Sequence, residues 1–208
     1  GKTIGISTFG SETDVAVSVA LQKLGLSRQD VTVSQIGGSS QRFGALLAGR
    51  IDAAPLLEPT ITAAKEKGFF PMLDLAAANT PWIFDGVVVT QSYLREHRDT
   101  LTHFVKAYIA GAYLGLSDVA KAKEVIGQKY KTSDPAVIDA TYNDFKRMMP
   151  LDAAPSLAGA RNVIAQLQAI GLEVGSKDVN DYVDLSIIQG LKKDGYFDAM
   201  AKAYPIKQ

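Results

Sequence analysis

Three strand–helix steps follow one another in the first 75 residues, whereas beyond residue 86 the chain offers helices almost exclusively. This imbalance limits the fold more than any single motif. Thr3–Ser7 is a short β-rich run. It leads through the turn-forming Ser7-Thr8-Phe9-Gly10-Ser11 into a helix predicted from about Glu12 to Leu24, where Gly25 stops it. Val15 with Val19, and Ala16 with Ala20 and Leu24, recur at i, i+4 and give that helix a wide apolar face. Val31–Ile36 alternates apolar and polar residues as a strand does. Gly37-Gly38-Ser39-Ser40 breaks it, and Gln41–Ala48 reads as a helix ended by Gly49. Ile51–Leu57 is expected to be a third strand with Pro55 near its end or at an edge, and Pro59 suits the first turn of a helix running to Lys67. Phe69–Leu75 is a fourth apolar run. Successive β–α steps predict a largely parallel sheet covered by helices on both faces.

After Pro81-Trp82-Ile83-Phe84-Asp85-Gly86 the pattern changes. Val87-Val88-Val89-Thr90 is the one clear strand, continuously apolar as at a sheet centre. Asp99 is expected to cap a helix with an inner face of Phe104, Val105, Tyr108, Ile109 and Ala112, and Ser117 to cap the next, to about Tyr130. The aromatic positions Phe104, Tyr108 and Tyr113 are most simply core. Asp134-Pro135 pairs an N-cap with proline at the first helical position, starting a helix that ends before Pro150. Ser156 opens another, closed at Gly171, and Val179–Lys193 and Tyr196–Tyr204 complete the set. Several amphipathic helices with a single strand have no sheet to bury their faces against. The expectation is that the partner strands lie outside this chain; the alternative is a self-contained helical bundle with one stray strand.

Composition excludes several function classes. Lys plus Arg equals Asp plus Glu, 22 each, so no net field draws the chain to nucleic acid or an anionic membrane. Hydrophobic residues reach 47% but are interrupted every few positions, with no run of ~18 apolar residues, and the chain reads as soluble. The absence of cysteine excludes disulfides, thiolate catalysis and cysteine metal sites, and is compatible with an oxidising compartment. The opening Gly1-Lys2-Thr3-Ile4-Gly5-Ile6 reads as a strand and not as a secretion leader, so a leader has been removed or more of the chain is absent. His97 and His103 are six apart, about 240° around a helix, which does not let them share a metal from one helical face. The dinucleotide fingerprint and the P-loop spacing are both missing, so no cofactor is expected.

Two loops point to ligand capture. Thr8, Phe9, Gly10, Ser11 and Glu12 lead into the first predicted helix, and Gly37, Gly38, Ser39, Ser40 and Gln41 into the second. In an open α/β sheet the ligand crevice lies outside the carboxyl ends of the strands, where both loops are expected. Helix N-termini present unpaired amides at the positive end of the dipole. Glycines let the main chain come close to a ligand, and serines add hydroxyls. Serine and glycine before helices are equally ordinary caps and turns. Arg42 suits a ligand carboxylate or sulfonate, or is a solvated surface charge. Glu58 suits a ligand amine, or simply complements the dipole of the helix it starts. Trp82 and Phe84 stand in a loop, either lining a pocket mouth or wedged in a hinge.

The ordered set of these segments resembles the nitrate/sulfonate/taurine solute-binding proteins of ABC importers. Gly1-Lys2-Thr3-Ile4-Gly5-Ile6-Ser7 with Phe9-Gly10-Ser11 resembles the opening of their second lobe. Gln35-Ile36-Gly37-Gly38-Ser39-Ser40-Gln41-Arg42-Phe43-Gly44-Ala45-Leu46-Leu47-Ala48-Gly49-Arg50-Ile51-Asp52-Ala53-Ala54 resembles their strand–loop–helix ending in G-x-[IV]-D-A, and Pro55-Leu56-Leu57-Glu58-Pro59 their crossover near the cleft. Gly86-Val87-Val88-Val89-Thr90, Tyr93-Leu94 and Phe104-Val105-Lys106-Ala107-Tyr108 look like the return strand and helices. Gly195-Tyr196-Phe197-Asp198-Ala199-Met200-Ala201 is similar to the last helix. The resemblance implies a type II periplasmic-binding-protein-like α/β fold with mixed, mostly parallel sheets and two lobes that close on a small molecule. Residues 1–85 would form a complete lobe two and 86–208 the C-terminal, helix-rich part of lobe one, whose N-terminal part is absent.

The implied function is capture of a small organic solute, with anionic solutes among the candidates, and its presentation to an ABC permease in the membrane. The implied location is periplasmic or extracytoplasmic, with a lipid anchor if the source is Gram-positive. No catalysis and no nucleic-acid partner are expected. Pyrimidine-synthesising enzymes on the same scaffold rely on histidine and a cysteine-rich segment that this sequence lacks. The alternative is a ligand-sensing domain of a regulator or receptor built on the same fold.

Overall fold

A computed structural model describes residues 1–75, 77, 81–83 and 86–206. The elements in chain order are β1 (Lys2–Ile6), α1 (Glu12–Lys23), β2 (Val31–Gln35), α2 (Ser39–Leu47) and α3 (Thr60–Glu66), followed by α4 (Gln91–Glu96), α5 (Arg98–Ser117), α6 (Val119–Tyr130), α7 (Pro135–Met148), α8 (Leu157–Ala169), α9 (Ser186–Lys193) and α10 (Tyr196–Ala203). The contacts divide the chain into two compact units, Gly1–Phe84 with Ser156–Asp181, and Asp85–Pro155 with Tyr182–Gln208.

In the first unit, β1 and β2 pair in parallel from Lys2 opposite Val31 to Ile6 opposite Gln35. Alternation along the strands sends Ile4, Ile6, Val31 and Val33 to Val17 and Leu21 of α1. A second cluster joins Ala45 and Leu46 of α2 to Ile36, Ile51, Leu56 and Phe69. α1 begins at Ser11, whose hydroxyl accepts the Asp14 amide, and closes where Leu26 returns its amide to Leu21 O at 2.8 Å.

The predicted third strand is reduced to one parallel bridge, Ile4 to Ala53. Its hydrogen bonds are Asp52 N to Thr3 O at 2.8 Å and Gly5 N to Ala53 O at 2.9 Å. Beyond Ala53 the ladder has nothing to continue with. Pro55 has no amide hydrogen, and its carbonyl accepts the Arg42 side chain at 3.0 Å. Of the fourth apolar run, Phe69 joins the core while Phe70 and Met72 are exposed, and no strand forms among its described residues.

The sequence alone placed Ser156–Asp181 with the C-terminal half; in the structure they group with the first unit, where α8 packs on α1. Gly159 and Ala160, both buried, form the close-contact face of α8. A Cβ at Gly159 would stand 2.5 Å from Trp82 C and 2.7 Å from Trp82 O, so only glycine admits the 82–83 main chain there. Asn162 Nδ2 adds a hydrogen bond to Pro81 O at 3.0 Å.

The second unit is helical. Ile109 and Tyr113 of α5 meet Leu191 of α9 in its core, flanked by Ile187, Ile188, Tyr196, Phe197 and Met200. Tyr196 OH donates to Lys106 O at 2.8 Å. α7 starts at Asp134, which accepts the Ala136 amide, with Pro135 at its first turn, as the dipeptide predicts. Two caps differ from expectation. Asp118, not Ser117, caps α6, accepting Lys121 N at 2.9 Å, and α5 begins after His97 with Asp99 in its first turn.

Of the three aromatic residues read as core, only Tyr113 is buried; Phe104 is 52% and Tyr108 46% exposed. They form one flank of a stripe, shared with Leu101, Val105, Ile109, Ala112 and Tyr113, that covers about half the circumference of α5. The described helices bury only the other flank. Val87, Val88 and Val89, predicted as a strand, join no ladder among the described residues, and Val88 is 90% exposed. A strand exists only where a neighbour takes its amides and carbonyls, and no described segment does.

Candidate functional site

β1 and β2 end side by side, which brings the two loops that follow them to one edge of the ladder. At the first, Ser7 N donates to Thr13 Oγ1 at 2.8 Å. The hydroxyls of Ser7, Ser11 and Thr13 stand within 2.8–2.9 Å of one another at the head of α1. The Phe9 and Gly10 amides are held by side chains from different elements, Phe9 N by Gln35 Oε1 at 3.2 Å and Gly10 N by Asp14 Oδ2 at 2.8 Å. Gly10 has φ +75, the left-handed region that a residue with a Cβ adopts only at a cost, and Leu172 Cδ1 lies 2.9 Å from the place that a Cβ would take. Thr8 and the Phe9 ring face solvent.

At the second loop, Gly38 N donates to Gln41 Oε1 at 2.7 Å, the reciprocal half of a capping arrangement at α2. Ser39 Oγ and Thr60 Oγ1 are 2.6 Å apart, and Thr60 Oγ1 donates to Leu57 O, so the start of α3 is tied to the start of α2. Ser40 is exposed. A recess of 510 Å³ lies beside this loop, lined by Gln35, Ile36, Gln41, Gly44 and Arg50. The two glutamines that pin the Phe9 and Gly38 amides thus also form its wall.

Arg42 is not a solvated surface charge. It is 3% exposed, and its guanidinium donates to Pro55 O and Gly37 O. Burial pushes its pKa below the ordinary arginine value, partly offset by the Glu12 carboxylate. Arginine stays charged under such a shift. Its charge is committed to two main-chain carbonyls that shape the site, and Glu12 at the head of α1 lies within its field.

Glu58 is similarly engaged, accepting the Thr62 amide at 3.0 Å as an acidic residue at a helix start does. Trp82 sits with its main chain on Gly159 of α8 and makes no hydrogen bond to either loop. Phe84, also a candidate, lies outside the described residues. The first unit therefore assembles Thr8, Phe9, Gly10, Ser11, Glu12, Gly38, Ser39 and Ser40 at one sheet edge, with Arg42 and Glu58 as internal supports.

Sequence reasoning passed over Asp14, Thr13, Gln35, Thr60 and Leu172. Asp14 carried a signal, because Ser11-x-x-Asp14 is the spacing of a reciprocal cap. Leu172 reaches Gly10 from a segment 162 positions away, as their numbering gives, and nothing local announces it. Among the described residues no three His, Cys, Asp or Glu side chains gather as metal ligands, and no helix is long and apolar enough to cross a membrane.

The family profile described as NMT1/THI5 like matches residues 1–133, well over half the chain. The chain belongs to the NMT1/THI5-like family. A curated relative, a putative ABC transporter periplasmic binding protein of Brachyspira hyodysenteriae, is 25% identical over 145 residues, covering 69% of this chain and 41% of that protein. A putative sulfonate ABC transporter, periplasmic sulfonate-binding protein SsuA from Methylobacillus flagellatus KT, superposes with a TM-score of 0.66 at 20% identity. The match covers 94% of this chain and 62% of that one. The fold is therefore that of periplasmic binding proteins, and this NMT1/THI5-like chain spans less than two thirds of the length of either protein.

Proposed function

We propose that this chain is the solute-capturing part of an ABC importer, acting outside the cytoplasm and handing a small organic solute to a membrane permease. The observation that carries the reading is the convergence of two glycine- and serine-rich loops, each opening a helix, at the carboxyl ends of adjacent parallel strands. That is where an open α/β sheet binds ligands. Family membership supports it, and both named relatives are described as binding proteins. The role is capture without turnover.

The candidate contacts are Thr8, Phe9, Gly10, Ser11 and Glu12 from the first loop and Gly38, Ser39 and Ser40 from the second. With Arg42 and Glu58 committed to main-chain groups, and the Phe9, Gly10 and Gly38 amides held by Gln35, Asp14 and Gln41, recognition from this unit falls first to the exposed Thr8 and Ser40 side chains and the Phe9 ring. Helix N-termini favour a partly or fully anionic solute, as does Arg50 in the lining of the recess beside the second loop. The first unit corresponds to one lobe, and the helices of the second belong to another lobe whose sheet lies outside these residues.

Native mass spectrometry of the full-length protein, purified gently from its source, tests the reading. The expected result is one small molecule retained per chain and released intact on unfolding. Chemical conversion of that molecule, or an unliganded protein that retains nothing from a solute-rich extract, would contradict it.

A further inference from the structure

The hydrogen bonds that shape the loop after β1 lead to an ion pair outside it. Asp14 is 2% exposed, one turn into α1. Its Oδ2 accepts the Gly10 amide, and its Oδ1 accepts Arg28 Nη1 at 2.5 Å. Arg28 Nη1 also reaches Ser18 Oγ at 3.0 Å, and Ser18 in turn donates to Asp14 O at 3.2 Å. Arg28 opens the short 3-10 turn Arg28–Asp30 that leads into β2.

We propose that Asp14 and Arg28 are a positioning pair that presets the Thr8–Glu12 loop for solute capture; this rests on the capture reading above. An ionised carboxylate has two acceptor oxygens, and here they serve different partners, one fixing the loop at Gly10 and the other meeting the guanidinium. A buried carboxylate holding only an amide is poorly compensated, and the guanidinium makes the arrangement sustainable. Without such a restraint, a Ser-Thr-Phe-Gly-Ser segment samples many conformations, and a solute would have to order it on binding. Phe9 is held by Gln35 at the far end of β2, the strand that Arg28 introduces, so of two successive amides one is clamped from β2 and the other, at Gly10, from α1.

Amide hydrogen exchange on the full-length protein tests the proposal without any solute, so its failure is separable from failure of the capture reading. The variant of choice is Arg28→Gln. The Arg28 side chain is 30% exposed, and the substitution leaves the Asp14 carboxylate in place for Gly10. The expected result is about tenfold faster exchange or more at Gly10, and faster exchange at Phe9, with Ile6 and Val17 unchanged. Arg28→Lys should restore most of the protection. Asp14→Asn, which keeps an oxygen for Gly10 but not the charge pair, should resemble Arg28→Gln. Unchanged exchange at Gly10, or acceleration shared equally by Ile6 and Val17, would overturn the positioning role.

Discussion

Arg42→Ala is expected to destabilise the first unit by about 2–4 kcal/mol, because it empties a buried side-chain site and leaves the half-buried carbonyls of Gly37 and Pro55 without their donor. For a chain of this size that is a fall in Tm of about 5–15 °C by calorimetry. Arg42→Lys should recover only part of the loss, since a single ammonium cannot span two carbonyls as a guanidinium fork does. A solute contact behaves differently: its removal weakens binding and leaves Tm unchanged. Wild-type stability in Arg42→Ala would therefore return Arg42 to the ligand side of the account.

The second large effect concerns α5. Residues 1–208 on their own should enhance the fluorescence of an apolar-surface dye several-fold over a compact protein of equal length, because Phe104 and Tyr108 extend the buried stripe of that helix into solvent. Val87, Val88 and Val89 add an apolar run with no ladder to join. A sheet laid on this flank, from further chain or from a partner, should return the signal to the level of the compact control. Dye enhancement that is low for residues 1–208 alone would show that the second unit is complete without outside strands.

Sequence patterns located what local chemistry determines. Ser11, Asp134 with Pro135, and Ser156 start helices where their hydrogen-bonding side chains or fixed φ require it. The β1 and β2 loops follow from strand alternation broken by glycine and serine. What escaped depends on residues far apart in the chain. Arg42 reads by type as a partner for a ligand anion or as a surface cation, and only the approach of Pro55 O and Gly37 O makes its burial tolerable. Ile51–Leu57 has the composition of a strand, yet Pro55 and its arginine-bound carbonyl confine the pairing to Ala53. The seat of the 82–83 main chain on α8 depends on Gly159, a small residue with no periodic signature of its own. Phe104 and Tyr108 read as core from their place on the apolar stripe of α5, yet both are exposed, because how much of that stripe is covered depends on which neighbours are present.

Amide exchange of the full-length protein, with and without the solute that co-purifies with it, tests the central claim most directly. The account predicts that Thr8–Glu12 and Gly38–Ser40 gain protection together when the solute is bound, because both loops supply its contacts. Saturable binding that slows exchange elsewhere while leaving both segments unaltered would contradict it.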